Sequence, residues 1–267
     1  MGEDGMKADV VVLLRCRYRV WQLAACFQNI EQIFSDTNLE YIIYCLADRA
    51  TPAVWHVLEA EQAINPRLRI VVMNDGTSGH RWARTGMHGL NVGLDHVDRD
   101  DVCPTWIYFH DDDELLPKDC GETLERCLNE KDILAWTATS LFLWDNSDTV
   151  NINIFHHSPI FFRYRAGDRF PEDGRSTQVT EPIQKRILRN AYRKKTLPFY
   201  IRDLSAMRED ERKEQVERFK RSGKDDAYTR PFSSAPCIMK IGDIERNWEP
   251  VDFFIFQQKR GYNATGN

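Results

Sequence analysis

The sequence predicts an α/β fold, a mostly parallel sheet flanked by helices, and three observations carry that prediction. Four short β-branched, aliphatic or aromatic runs, separated by three helical patterns, precede His110. Several of these runs are continuously apolar, as expected of strands buried on both faces of a parallel sheet. Beyond Ile133 the strands are joined by short connections, which predicts an antiparallel ribbon followed by a helical C-terminal region. The change of pattern divides the chain into halves at 1–145 and 146–267.

The first strand is the run Asp9 to Leu14, followed by the basic turn Arg15-Cys16-Arg17-Tyr18-Arg19. Val20, Leu23, Ala24, Phe27, Ile30 and Phe34 then recur at helical spacing and give one apolar face. Glu40 to Leu46 forms a second strand, ending in Ala47-Asp48-Arg49. Thr51 with Pro52 opens a helix, because proline is tolerated at the first helical position. Arg69 to Met73 is the third strand, and Ala83, Met87, Leu90, Leu94 and Val97 mark a helix from about Gly79 to Val97.

The fourth strand, Trp106-Ile107-Tyr108-Phe109, empties into His110-Asp111-Asp112-Asp113-Glu114 and then Leu115-Leu116-Pro117. Adjacent aspartates repel unless a cation, hydrogen-bond donors or water offsets them, and hard divalent ions take oxygen ligands of this kind. An isolated acidic triplet reads as a solvated turn; one at the carboxyl end of a strand stands where open α/β sheets bind ligands.

Downstream, Pro117 to Asn129 reads as a helix and Ile133 to Trp144 as a strand. Val150 to Ile154 and Ile160 to Tyr164, separated by Phe155-His156-His157-Ser158-Pro159, read as the antiparallel ribbon. Ala166 to Gln178 is rich in loop formers and reads as a loop over the functional end of the sheet. Pro182 to Lys195 reads as a basic helix, and Met207 to Arg221 as a charged helix with acid-base pairs at i,i+4. An apolar tail, Phe253-Phe254-Ile255-Phe256, precedes Gln257-Gln258-Lys259-Arg260.

A chain of 267 residues, 42% of them hydrophobic, can build a sizeable core. The first residues lack an apolar leader, and no window reaches the roughly eighteen apolar residues of a membrane span, so the expectation is a soluble, cytoplasmic protein without a membrane span. Seven cysteines form no C-x-x-C pair, against a zinc site or disulfide framework. The net charge of −5 argues against a globally basic nucleic-acid binder, while leaving room for a local basic face.

On these residues the chain resembles the GT-A glycosyltransferases, most closely family 2. The family's fourth-strand motif reads apolar run, D-x-D-D, a short gap, Pro. Counting back from Pro117, Asp112 and Asp113 match its last two aspartates, Asp111 the variable position, and His110 stands where the first aspartate is expected. Either His110 replaces that carboxylate, or the motif is displaced by one and Asp111 takes its role. Asn91-Val92-Gly93-Leu94 is similar to the family's R-N-x-G-L, with Leu90 in place of the arginine and Arg81 or Arg84 to supply the charge. Asp48 stands where the family often places an acid that reads the nucleotide base. The resemblance covers residues 8 to 145.

The resemblance implies a Rossmann-like nucleotide-binding half, a nucleotide-sugar donor, with a UDP-sugar favoured, and a Mn²⁺ or Mg²⁺ ion on Asp112 with Asp113 or Asp111 nearby. No histidine follows Phe161, so a late histidine completing the metal site would be His156 or His157, and His156 is the candidate. Arg15, Arg17, Asp48, Arg84 and Asp111 are the candidates for holding the nucleotide. An inverting transfer needs a general base to take the acceptor's proton. The family draws it from an E-D pair, which points to Glu181 in Thr180-Glu181-Pro182, or to Asp173 in Phe170-Pro171-Glu172-Asp173. The acceptor would be a glycan or, given the basic Lys185 to Lys195 segment, a hydroxylated base in DNA. Two rival classes share the strand-end aspartates: a metal-dependent nucleotidyltransferase and a non-catalytic nucleotide-binding protein.

Overall fold

The structure, a computed structural model, describes residues 7–73, 82–170, 193–221 and 236–250. Its first strands and helices alternate as the apolar periodicity predicts. Strands β1 (Val10–Cys16), β2 (Tyr41–Asp48), β3 (Leu68–Met73) and β4 (Trp106–Asp111) are separated by α1 (Val20–Ser35), α2 (Pro52–Ile64) and α3 (Trp82–Arg99). Pro52 opens α2, and the Thr51 hydroxyl accepts from the Val54 N–H, so the helix start follows the local chemistry of those two residues. The strands pair in parallel in the order β3-β2-β1-β4, with β1 between β2 and β4.

The chain then continues through β5 (Glu114–Leu115), α4 (Gly121–Leu128), β6 (Ala135–Trp144), β7 (Asn146–Arg163), β8 (Lys194–Asp203), α5 (Glu209–Arg221), β9 (Ile238–Lys240) and α6 (Ile241–Asn247). It folds into two compact units whose sequences interleave: 1–112 with 118–136 and 159–195, and 113–117 with 137–158 and 196–267.

In the first unit β1 is buried along almost its whole length, and helices cover both faces of the parallel strands. Val11, Leu13, Tyr44, Leu46 and Ile107 pack with Leu90, Leu94 and Val97 of α3 in one buried cluster. Gly93 lets α3 approach closely: a Cβ there would stand 3.0 Å from Leu46 and 3.1 Å from Leu13. The C-terminal end of β7 adds antiparallel to the start of β4, Trp106 facing Arg163.

In the second unit β6 and β7 are sheet neighbours joined through Asp145, whose φ of 65° makes the tight reversal. The order continues from β7 through β6 and β8 to β5, and β9 pairs antiparallel with β7. Trp144, Phe142 and Ala206 form a small cluster against Val216 of α5, and Glu209 and Lys213 of that helix pair at 2.6 Å as their spacing predicts.

Three sequence expectations change. The segments Val150–Ile154 and Ile160–Tyr164 are one continuous strand rather than the two arms of a ribbon; sheet pairing along β7 overrides the turn signal of Ser158-Pro159. Leu115-Leu116-Pro117 does not start a helix: Glu114 and Leu115 pair with Asp203 and Arg202, which holds the chain extended, and α4 begins at Gly121. Lys194 and Lys195, placed at the end of the basic helix, lie in β8.

Candidate functional site

In a parallel sheet the carboxyl ends of all strands share one edge, and here that edge carries the basic turn and the first aspartates of the acidic run. Arg15 stands directly opposite Asp111 in the register of β1 with β4. Its Nη2 donates to Asp111 Oδ1 at 2.6 Å and its Nε to the same oxygen at 3.2 Å, while the guanidinium lies 4.9 Å from the centre of the Phe109 ring. Burial would raise the Asp111 carboxyl, but Arg15, assisted by Arg19, holds it below its ordinary value.

Asp112 follows the last residue of β4 and is buried. Its Oδ1 accepts from Arg19 Nη1 at 2.9 Å, with side-chain exposures of 11% and 14% that leave both partners largely desolvated. Arg19 is the residue immediately before α1, a helix with no side-chain cap and no acid in its first turn. The positive end of that helix therefore lies beside the aspartates, an arrangement suited to anions. Asp48 ends β2 one position past the residue opposite Cys16, on the same edge, and accepts from the neighbouring Arg49 at 3.0 Å.

His110 does not reach this edge. Alternation along β4 turns it to the other face from Asp111, where it is fully buried and stacked on Tyr108 at 4.9 Å. Both ring nitrogens are without a hydrogen-bond partner among the described residues, and burial pushes the imidazole down to about 4. Of the two readings of the motif, the geometry leaves Asp111 rather than His110 at the strand end.

The remaining candidates belong to several elements. Asp113 is buried, and its carbonyl accepts from the Leu204 N–H at 2.7 Å. His156 lies in β7 and only its backbone is described; its neighbour His157 shares a hydrogen bond with Thr139 through Nδ1 at 2.9 Å. Arg17 is half-buried in the turn, where its carbonyl accepts from the Thr51 N–H. For Arg84 too only the backbone, in α3, is described, while Arg81, Asp173, Glu181 and the basic segment before Arg193 lie outside the described residues. Lys195 pairs with Glu130.

The Asn91 motif acquires a physical role. Phe170 N–H donates to Asn91 Oδ1 at 2.7 Å and Asn91 Nδ2 donates to Phe170 O at 3.0 Å, both buried. The loop expected over the functional end leaves β7 near the start of β4 and runs along α3, where Tyr164 and Arg169 bind Asp98 before Phe170 reaches Asn91.

A divalent cation can be tested against these donors. Mg²⁺-type sites use one or two carboxylates and complete their shell with phosphates and water. Asp111 and Asp112 supply that number of hard oxygen donors at the strand end, and no group of three or more ligating side chains occurs among the described residues. The donors fit such an ion, Asp111 being shared with Arg15 and Asp112 with Arg19. Sequence reasoning marked the turn but did not single out Arg19; its place at the start of α1 was the available signal.

No protein-family model and no curated protein sequence matches the chain. Among solved structures it is similar to the mannosyltransferase PcManGT from Pyrobaculum calidifontis, determined with GDP-Man and Mn²⁺. The TM-score is 0.53 at 15% identity, over 96% of this chain and 70% of that one. The chain has a GT-A fold. More distant similarities include S. aureus TarS, with TM-score 0.44 and 12% identity over 84% and 69% of the two chains. Another is glucosyl-3-phosphoglycerate synthase from Mycobacterium tuberculosis, with TM-score 0.34 and 13% identity over 51% and 44%. The assignment rests on the first. Arg15, Arg19, Asp48, Asp111 and Asp112 lie at the carboxyl ends of the parallel strands, the end at which open α/β sheets bind ligands. Among the described residues, no helix is long and apolar enough to cross a membrane.

Proposed function

We propose that the protein is a metal-dependent glycosyltransferase moving a sugar from a nucleotide-sugar donor, a UDP-sugar by preference, to an acceptor hydroxyl with inversion. The observation that carries this reading is the pairing of Arg15 with Asp111 and Arg19 with Asp112 at the carboxyl edge of a GT-A sheet. In this reading Asp48, at the end of β2, accepts from the nucleotide base. Arg15, Arg17 and Arg19, together with the uncapped start of α1, give a diphosphate cationic and N–H partners. Mn²⁺ or Mg²⁺ bound through Asp112, with Asp111 or Asp113, would neutralise the charge that grows on the departing nucleoside diphosphate.

We assign donor binding to residues 1–145 and acceptor binding to 146–267, with Glu181, or else Asp173, taking the acceptor's proton and His156 as a further metal ligand. The acceptor is a glycan or, if the basic segment from Lys185 meets phosphates, a hydroxylated base in DNA. All seven cysteines are free thiols, which suits the cytoplasm.

Product analysis with a panel of nucleotide sugars, with and without Mn²⁺, tests the reading. Acceptor-dependent release of a nucleoside diphosphate is the expected result. Pyrophosphate release would identify a nucleotidyltransferase, and binding without turnover a nucleotide-binding protein. For the DNA alternative, reversing charge at Lys185, Arg189, Arg193 and Lys194 should weaken DNA binding and flatten its salt dependence; equal affinities and slopes would remove nucleic acid from the proposal.

A further inference from the structure

Arg19 holds a carboxylate that the metal reading needs. Its Nη1 lies 2.9 Å from Asp112 Oδ1, and the two side chains are largely shielded from water. Two cations compete for that oxygen. A guanidinium and a divalent ion repel one another at this range, and in a partly desolvated setting their interaction is several times that in water. Arg19 also belongs to the turn that reads as the diphosphate contact, so an alternative anionic partner for it arrives with the donor.

We infer that Arg19 is a resident counter-cation for Asp112. It occupies the carboxylate while the site is empty of donor and yields it to a divalent cation as its guanidinium moves to the donor's diphosphate. This deepens the glycosyltransferase reading and rests on it. The exchange is non-covalent and moves no proton: one charge-assisted bond at Asp112 is replaced by a metal-oxygen bond, and the guanidinium regains an anion. Because the metal alone must evict Arg19 without a phosphate to receive it, Arg19 weakens binding of metal alone and thereby ties metal loading to donor binding.

The test is Mn²⁺ binding by the full chain without nucleotide, followed by the loss of the free-ion electron paramagnetic resonance signal. Arg19→Gln should bind Mn²⁺ about tenfold more tightly than the parent, equivalent to about 1.4 kcal/mol. Arg19→Lys keeps the charge but loses the planar fork; it should fall between them and serves if the glutamine variant does not fold. Arg17→Gln removes the same charge from the same turn without touching Asp112, and should change affinity by less than about twofold if through-space repulsion is a minor part.

An Arg19 variant that binds Mn²⁺ no more tightly than the parent, or an Arg17 variant that gains as much, overturns the role of Arg19 while leaving the metal site standing. If neither the parent nor the Arg19 variants bind Mn²⁺ at millimolar concentration, with or without a nucleoside diphosphate, this inference and the metal-dependent reading beneath it both fail.

Discussion

Replacing Asn91 with alanine probes the contact that ties the loop after β7 to α3. Asn91 is 5% exposed and makes two hydrogen bonds to the backbone of Phe170, one as donor and one as acceptor. Phe170 is itself buried and packs edge-on against Phe162 with ring centres 5.6 Å apart. Truncation leaves a buried N–H and a buried carbonyl without their partner, at about 1–3 kcal/mol each. Water entering the vacated space recovers part of this, so about 3 kcal/mol is the expected loss. For a chain of this size that lowers the melting temperature by about 6–12 °C. Asn91→Asp separates the two bonds: its carboxylate still accepts from the Phe170 N–H but repels the Phe170 carbonyl. The deficit of that variant should shrink at low pH, where a protonated carboxyl can donate. Urea and thermal unfolding at neutral and acidic pH measure both. A loss below about 1 kcal/mol for Asn91→Ala, or a pH-independent deficit for Asn91→Asp, would refute the assignment of two buried hydrogen bonds to this residue.

Other expectations concern the site and the packing around it. Asp112→Ala should abolish Mn²⁺-dependent affinity for nucleoside diphosphates while the protein stays folded; unchanged affinity by calorimetry would remove Asp112 from the metal site. Asp98 accepts from Tyr164 at 2.5 Å and pairs with Arg169 at 2.8 Å. Burial opposes ionisation of its carboxyl, but those two partners hold it below its ordinary value. Its contribution is therefore present above about pH 4 and lost as pH falls through the lower folded-state value, so the deficit of Asp98→Asn, about 1 kcal/mol at neutral pH for a partly exposed pair, should close in acid. Gly93→Ala forces a methyl against Leu13 and Leu46 and should cost about 1–2 kcal/mol. Gly89→Ala should cost less, since its Cβ would meet only the flexible end of Met73; the order of their unfolding midpoints checks the distinction.

The sequence by itself determined the parallel half. Continuous apolar runs such as Val10–Leu14, helical spacing from Val20 to Phe34 and the Thr51-Pro52 start are local signals, and the structure repeats them within a residue or two at most boundaries. Once four strands run parallel, their carboxyl ends share an edge, so the common placement of Asp48, Asp111 and Asp112 also follows from pattern. Only the tertiary structure decided which partners meet. Arg15 reaches Asp111, 96 residues away, because β1 lies next to β4 rather than in sequence order. The inward turn of His110 depended on where β4 begins its alternation, and the joining of Val150 to Tyr164 into one strand on pairings with β4 and β9. Those outcomes are set by backbone hydrogen bonds and burial between segments distant in sequence, and a residue's local pattern carries no record of which distant strand will stand beside it.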